Sequence, residues 1–136
     1  MKPACTAGTA RVVVAAALLA TAVTGPAADW TKAPVIEVKL SSFAYSPGTL
    51  RLAASQAVTL HLVNDSGGGH NFSAPEFFAA AEIDPLDRGL IVKGTVEVPK
   101  HTAKGIRLVP AAGQYRLRCT HRFHTMLGMR GKIAVG

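Results

Sequence analysis

The sequence predicts an all-β fold, a Greek-key β-sandwich or barrel of seven or eight strands with one short helix. Three observations lead there. Short runs of alternating apolar and polar residues recur from Val35 to Val135, separated by turn signals at regular spacing. Only one stretch of that region, Pro75 to Glu82, has helical composition. No repeat, low-complexity segment or composition shift divides residues 29–136, so they read as one domain.

The strands follow in order. Val35-Ile-Glu-Val-Lys-Leu40 alternates, with Val35, Glu37 and Lys39 on one face and Ile36, Val38 and Leu40 on the other. Phe43 and Tyr45 lead to a turn at Ser46-Pro47-Gly48, and Thr49 to Leu52 is a second strand. Val58 to Val63 is a third, with Val58, Leu60 and Leu62 inward and His61 facing solvent. Asn64-Asp-Ser-Gly-Gly-Gly69 breaks it, and His70-Asn-Phe72 resumes extended structure. Pro75 to Glu82 suits a short helix, with proline in its first turn and an alanine run. Asp84 to Gly89 is loop. Leu90 to Val98 is extended with a break at Gly94, and Ile106 to Val109, Gln114 to Cys119 and Lys132 to Val135 complete the set.

Residues 1–28 stand apart. Lys2 and Arg11 precede the apolar run Val12 to Val23, and small residues follow before polarity begins at Asp29. This is the pattern of a secretory signal peptide, with cleavage after Ala27 or Ala28. The run is about a dozen residues, too short for the roughly 20 of a membrane span, so no stable span is expected once the leader is gone. Export removes Cys5 and leaves Cys119 as the single cysteine. It cannot form an internal disulfide, so it is an intermolecular bridge, an inert buried group or a chemically used thiolate. Without Lys2 and Arg11, the remaining basic residues exceed the eight acidic ones by about five. They are scattered, with no basic block or aromatic ladder, which argues against nucleic acid. A positive surface suits an acidic partner protein or anionic headgroups.

The chemistry concentrates near the end. Cys119-Thr-His-Arg-Phe-His124-Thr-Met-Leu-Gly-Met129 holds a thiol, two imidazoles and two thioethers, and His70 stands upstream behind three glycines. Thiolate and imidazole select copper, zinc or iron, and structural zinc usually takes four Cys or His ligands from close pairs. A thioether beside one thiolate and imidazoles points instead to copper. Two histidines, one cysteine and a weak axial methionine are the donor set of electron-transfer copper sites. Cys119, His124 and Met129 lie on one loop, and His70 on another that a sandwich gathers at the same end.

Over most of residues 29–136 the chain resembles the cupredoxins, the exported blue-copper proteins of the plastocyanin and azurin superfamily. The resemblance rests on Gly69-His70-Asn71-Phe72, on Gly113-Gln-Tyr-Arg-Leu-Arg-Cys119, and on His124 and Met129 followed by Arg-Gly131-Lys-Ile-Ala-Val135. The Cys119 to His124 spacing is similar to azurin's, and the His124 to Met129 spacing to plastocyanin's. It implies one copper ion held by His70, Cys119, His124 and Met129. It also implies that Asn71 bonds Thr120 and ties the two ligand loops together, and that the Gly69 carbonyl approaches the metal. The loop Thr120-His121-Arg122-Phe123 departs from the family in having neither proline nor glycine. The segment from Glu76 to Arg88 is an insertion expected to cover one side of the site.

Two rivals remain. His121 competes with His124 and Met126 with Met129; family spacing favours His124, and the flanking Gly128 and Gly131 favour Met129. His61 and His101 read as surface residues, and Phe72, Phe77, Phe78 and Phe123 as core or lid. A Cys–His hydrolase lacks a nucleophile elbow and an orienting acid, so no enzyme is expected. The expected function is a periplasmic or secreted, monomeric electron carrier cycling Cu(I) and Cu(II) with a redox partner protein. The alternative is copper binding and delivery to an exchange partner, for which His121 and Met126 would be spare ligands.

Overall fold

The structure is a computed structural model that describes residues 27–122 and 127–136. Residues 1–26, which include Cys5 and most of the expected leader, and residues Phe123, His124, Thr125 and Met126 lie outside them. Ten strands form two five-stranded sheets. One sheet contains β1 (Val35–Ser41), β2 (Ala44–Ser46), β4 (Val58–Asn64), β6 (Glu82–Ile83) and β8 (Thr102–Val109), in the order β2-β1-β4-β8-β6. The other contains β3 (Thr49–Leu52), β5 (His70–Ser73), β7 (Thr95–Val98), β9 (Gly113–Arg118) and β10 (Arg130–Val135), in the order β3-β10-β9-β5-β7. The strands beyond the expected seven or eight are short, β2 and β6 having three and two residues. Among the described residues no helix is long and apolar enough to cross a membrane.

Alternation builds the core. In β1, Val38 and Leu40 are buried while Glu37 and Lys39 face out; in β4, Val58, Leu60 and Leu62 are buried. Phe72, Val96, Val98, Ile106, Leu108, Leu117 and Ile133 meet them from the other strands. His61 lies on the outer face beside Glu37, its register partner, at 3.9 Å.

The helix α1 spans Pro75–Ala80, shorter than expected because Ala81 is already extended and Glu82 and Ile83 pair with Val109 and Leu108 of β8. Six residues cannot sustain a helix alone. Burial of Phe77 and Phe78, about 1.5–3 kcal/mol each, supplies the stability, through ring contacts to Tyr115 at 5.5 Å and Phe72 at 5.8 Å. Gly94 closes the tight turn that reaches the helix start: its φ is +72°, and a Cβ there would stand 2.4 Å from Pro75 Cα.

A clamp holds the segment after α1. Arg107 of β8 donates from Nε and Nη2 to the two carboxylate oxygens of Asp87, at 2.8 and 3.0 Å, and its Nη1 lies 3.1 Å from Asp84. The Arg107 backbone N–H also donates to Asp87, at 2.9 Å. Both carboxylates are buried. The Arg107 side chain, by hydrogen bonding, holds the Asp87 carboxyl below the usual carboxylate range against the opposing effect of burial. The insertion therefore packs on Tyr115, Arg107 and Leu108, along the side of the sandwich.

Register places the loops. His70 pairs with Val98, Asn64 with Thr102, and Arg118 with Arg130. The loops 64–70, 98–102 and 118–130 thus leave the same end of the sandwich. At β10, Gly131 allows the chain to pass the β2–β3 turn: a Cβ there would lie 2.9 Å from the Gly48 carbonyl oxygen, which Lys132 N–H bonds.

Replacing Arg107 by Leu leaves two buried carboxylates without their cation, and should lower the unfolding free energy by about 2–4 kcal/mol in urea melts at neutral pH. Because the folded carboxyl of Asp87 titrates below its unfolded value, its contribution is complete above roughly pH 4 and fades as pH falls through the depressed value. Wild type should therefore lose stability on acidification more steeply than Asp87→Asn.

Candidate metal centre

His70 begins β5 and is 2% exposed. Its Nε2 lies 2.9 Å from Ser66 Oγ. Ser66 is fixed in turn by Asn64, whose Oδ1 accepts from the Ser66 N–H at 3.0 Å and from its hydroxyl at 2.7 Å. The Asn64 amide donates to the carbonyls of Gly68 and Val98, both at 2.9 Å. A hydroxyl has one proton. With that proton directed to Asn64 or to the Gly68 carbonyl at 3.1 Å, Ser66 Oγ is placed to accept from His70 Nε2, the tautomer that would turn Nδ1 toward a metal. An imidazole oriented by such a bond is a prepared metal ligand.

Cys119 follows β9 directly and is buried. Its N–H donates to the Met129 carbonyl at 3.1 Å, carrying the β9–β10 ladder one step beyond Arg118 and Arg130. Met129 is fully buried as well. Gly128, with φ +90°, sets its approach, and the Gly128 carbonyl accepts from Arg130 N–H at 2.8 Å. Two sulfur side chains and one imidazole expected as ligands are thus out of water at one end of the fold. His124, expected between them, lies outside the described residues, as does Met126.

The two ligand segments are tied together where the resemblance implied. Asn71 Nδ2 donates to Thr120 Oγ1 at 2.7 Å, and Thr120 N–H donates to Asn71 Oδ1 at 2.9 Å. The sheet brings them together: Ser73 pairs with Arg118, and continuing that antiparallel register sets Asn71 opposite Thr120. His70 and Cys119 are each one residue from this tie.

Three contributors were not read from the sequence. Ser66 is one; the Asn-Asp-Ser-Gly pattern signals a turn in which Asn64 bonds two residues on, which is the signal for it. Glu97 is another: its Oε1 accepts from Asn71 Nδ2 at 2.7 Å and its Oε2 lies 2.8 Å from His121 Nε2. It comes from β7, opposite Asn71 in register. Tyr45 is the third, donating its hydroxyl to the Asn71 carbonyl at 2.6 Å. Burial, with the nearby Cys119 thiol adding to it, pushes the phenol well above its ordinary range. His121, the rival to His124, is half-buried, with Nε2 engaged by Glu97 and the ring against Gly69, where a Cβ would stand 3.3 Å from Cε1. His101 is exposed.

Among the described residues, no three His, Cys, Asp or Glu side chains form a metal-holding group; His70 and Cys119 are two of the expected donors, and Met129 is of another type. The donors present, a buried imidazole held through Nε2, a buried thiol and a buried thioether, fit a soft, one-electron metal such as copper.

The model of the family described as copper binding proteins, plastocyanin/azurin family, matches residues 33–136. Comparison with curated proteins gave no match. Among solved structures, auracyanin B is 23% identical with a TM-score of 0.57, over 76% of this chain and 89% of that one. Dithionite-reduced auracyanin from the photosynthetic bacterium Roseiflexus castenholzii is 23% identical with a TM-score of 0.56, over 76% and 98%. The McoA multicopper oxidase from the hyperthermophile Aquifex aeolicus is 16% identical with a TM-score of 0.61, over 82% of this chain but 31% of the oxidase. At these identities the likeness is one of fold.

Asn71→Ala removes both bonds to Thr120 and the bond to Glu97 from a buried position. It should lower stability by about 2–4 kcal/mol in denaturant melts. Thr120→Val, which keeps the N–H bond to Asn71, should cost less than half as much.

Proposed function

The chain belongs to the plastocyanin/azurin family of copper-binding proteins, and on that premise we propose that it is an exported one-electron carrier with His70, Cys119, His124 and Met129 holding one copper ion. The observation that carries this reading is the mutual bonding of Asn71 and Thr120, which fixes an imidazole and a thiol, each one residue away, in a buried setting. Bound copper would supply a Cu(I)/Cu(II) couple. His70 would present Nδ1, because Ser66 takes Nε2. Cys119 would act as the thiolate and Met129 as the thioether. His124 would be the second imidazole, on the spacing from Cys119 that the family resemblance gave.

The protein's part is to keep these donors still. Burial of His70, Cys119 and Met129 excludes water, and the Asn64–Ser66–His70 chain and the Asn71–Thr120 tie limit ligand movement between oxidation states. Restrained, buried ligands suit repeated electron exchange with a redox partner better than release of the ion to an acceptor. The protein acts in the periplasm or outside the cell, as a monomer, and transforms no substrate.

Copper(II) added to the protein should produce one equivalent of intense visible absorption from thiolate-to-copper charge transfer, bleached by a mild reductant and restored by oxidation. Cys119→Ser and His124→Ala should abolish the colour, while His121→Ala should retain it. Colourless binding, or loss of the metal on the first reduction, would sink the electron-carrier reading; colour lost in His121→Ala and kept in His124→Ala would reverse the ligand assignment.

A further inference from the structure

The outer face of the second sheet is cationic along β3, β9 and β10. Arg51, Arg116, Arg118, Arg130 and Lys132 are all exposed on it, alternating with buried Leu50, Leu52, Leu117, Ile133 and Val135. Two like-charged pairs stand directly opposite across the β9–β10 ladder, Arg118 with Arg130 and Arg116 with Lys132. Arg51 is on the next strand, in register with Ala134. Such opposition destabilises a sheet. None of the five makes an ion pair within 4 Å among the described residues, in contrast to Arg107, which has two carboxylates. The three strands carry no acidic residue. Glu76, which lines a groove with Arg116 and Arg118, is not within ion-pair distance of either. A sheet that bears unpaired opposed cations breaks a rule of sheet stability, and such breaks mark functional surfaces.

We propose that this face docks an acidic surface of the protein that exchanges electrons with this one, a reading that rests on the electron-carrier function above. Two features favour a protein over a lipid surface. None of the exposed large apolar side chains (Val35, Phe43, Leu86, Leu90, Val92, Leu127) lies on β3, β9 or β10, so nothing on the face would insert into a bilayer. The cations also lead directly to the site: Arg118 precedes Cys119, and Arg130 follows Met129. A partner held there lies beside two of the proposed ligands. Four of the five cations are arginines, whose planar forks suit carboxylates.

The test measures binding of fluorescein-labelled poly-L-glutamate to the metal-free and the copper-loaded protein at low salt. Lys132→Glu should weaken binding about fivefold or more, while Lys100→Glu, an equal change in net charge elsewhere, should change it less than twofold. Lys132→Glu places a carboxylate opposite Arg116 and so keeps the fold; Arg116→Gln/Lys132→Gln, with no new charge, should weaken binding in the same direction. Equal weakening by Lys132→Glu and Lys100→Glu would show net charge alone and overturn the proposal, as would no binding at all. So would tighter binding to phosphatidylglycerol vesicles than to polyglutamate through the same residues. The readout does not require metal: lost colour with retained binding counts against the copper reading, and lost binding with retained colour against this surface.

Discussion

Two hydrogen bonds between Asn71 and Thr120, residues 49 apart in sequence, join the halves of the candidate site. Much of what surrounds them is arranged to keep that pair in place. Tyr45 reaches from the first sheet to bond the Asn71 carbonyl, so the tie is anchored across the core and not only within its own sheet. Glu97 shares the Asn71 amide and links it to His121. On the other side of His70, the Asn64–Ser66 turn holds the imidazole by Nε2. The positions of the proposed ligands His70 and Cys119 are thus set by hydrogen bonds made by their neighbours, and the neighbours by strand register.

That dependence explains what the sequence showed. Alternation in Val35–Leu40 and Val58–Val63 identified their inward faces, because a half-buried strand must alternate. Proline and the alanine run identified α1. Family resemblance carried the Asn71–Thr120 pair, which no local pattern would have suggested. Glu97 and Tyr45 escaped because their roles exist only once β5 lies against β7 and the two sheets are packed. The strands β2 and β6, at three and two residues, are too short to show a period. The end of α1 was misplaced for the same reason: Glu82 and Ile83 leave the helix to pair with β8, a partner distant in sequence.

The two groups of arginines separate structure from function on one small domain. Arg107 is neutralised by Asp84 and Asp87 and secures the insertion to β8. The cations of β9 and β10 face each other across the ladder and make no ion pair among the described residues. A basic surface next to buried soft donors suits the proposed carrier: His70, Cys119 and Met129 are buried, and recognition would fall to the adjacent strands.

The central claim is that Cys119 and two imidazoles, His70 and His124, bind the same copper ion. X-ray absorption at the copper edge of the loaded protein measures it most directly. The account predicts a short-range shell of one sulfur and two nitrogens, with the sulfur lost in Cys119→Ser. A shell of nitrogen and oxygen alone in the unaltered protein would contradict it.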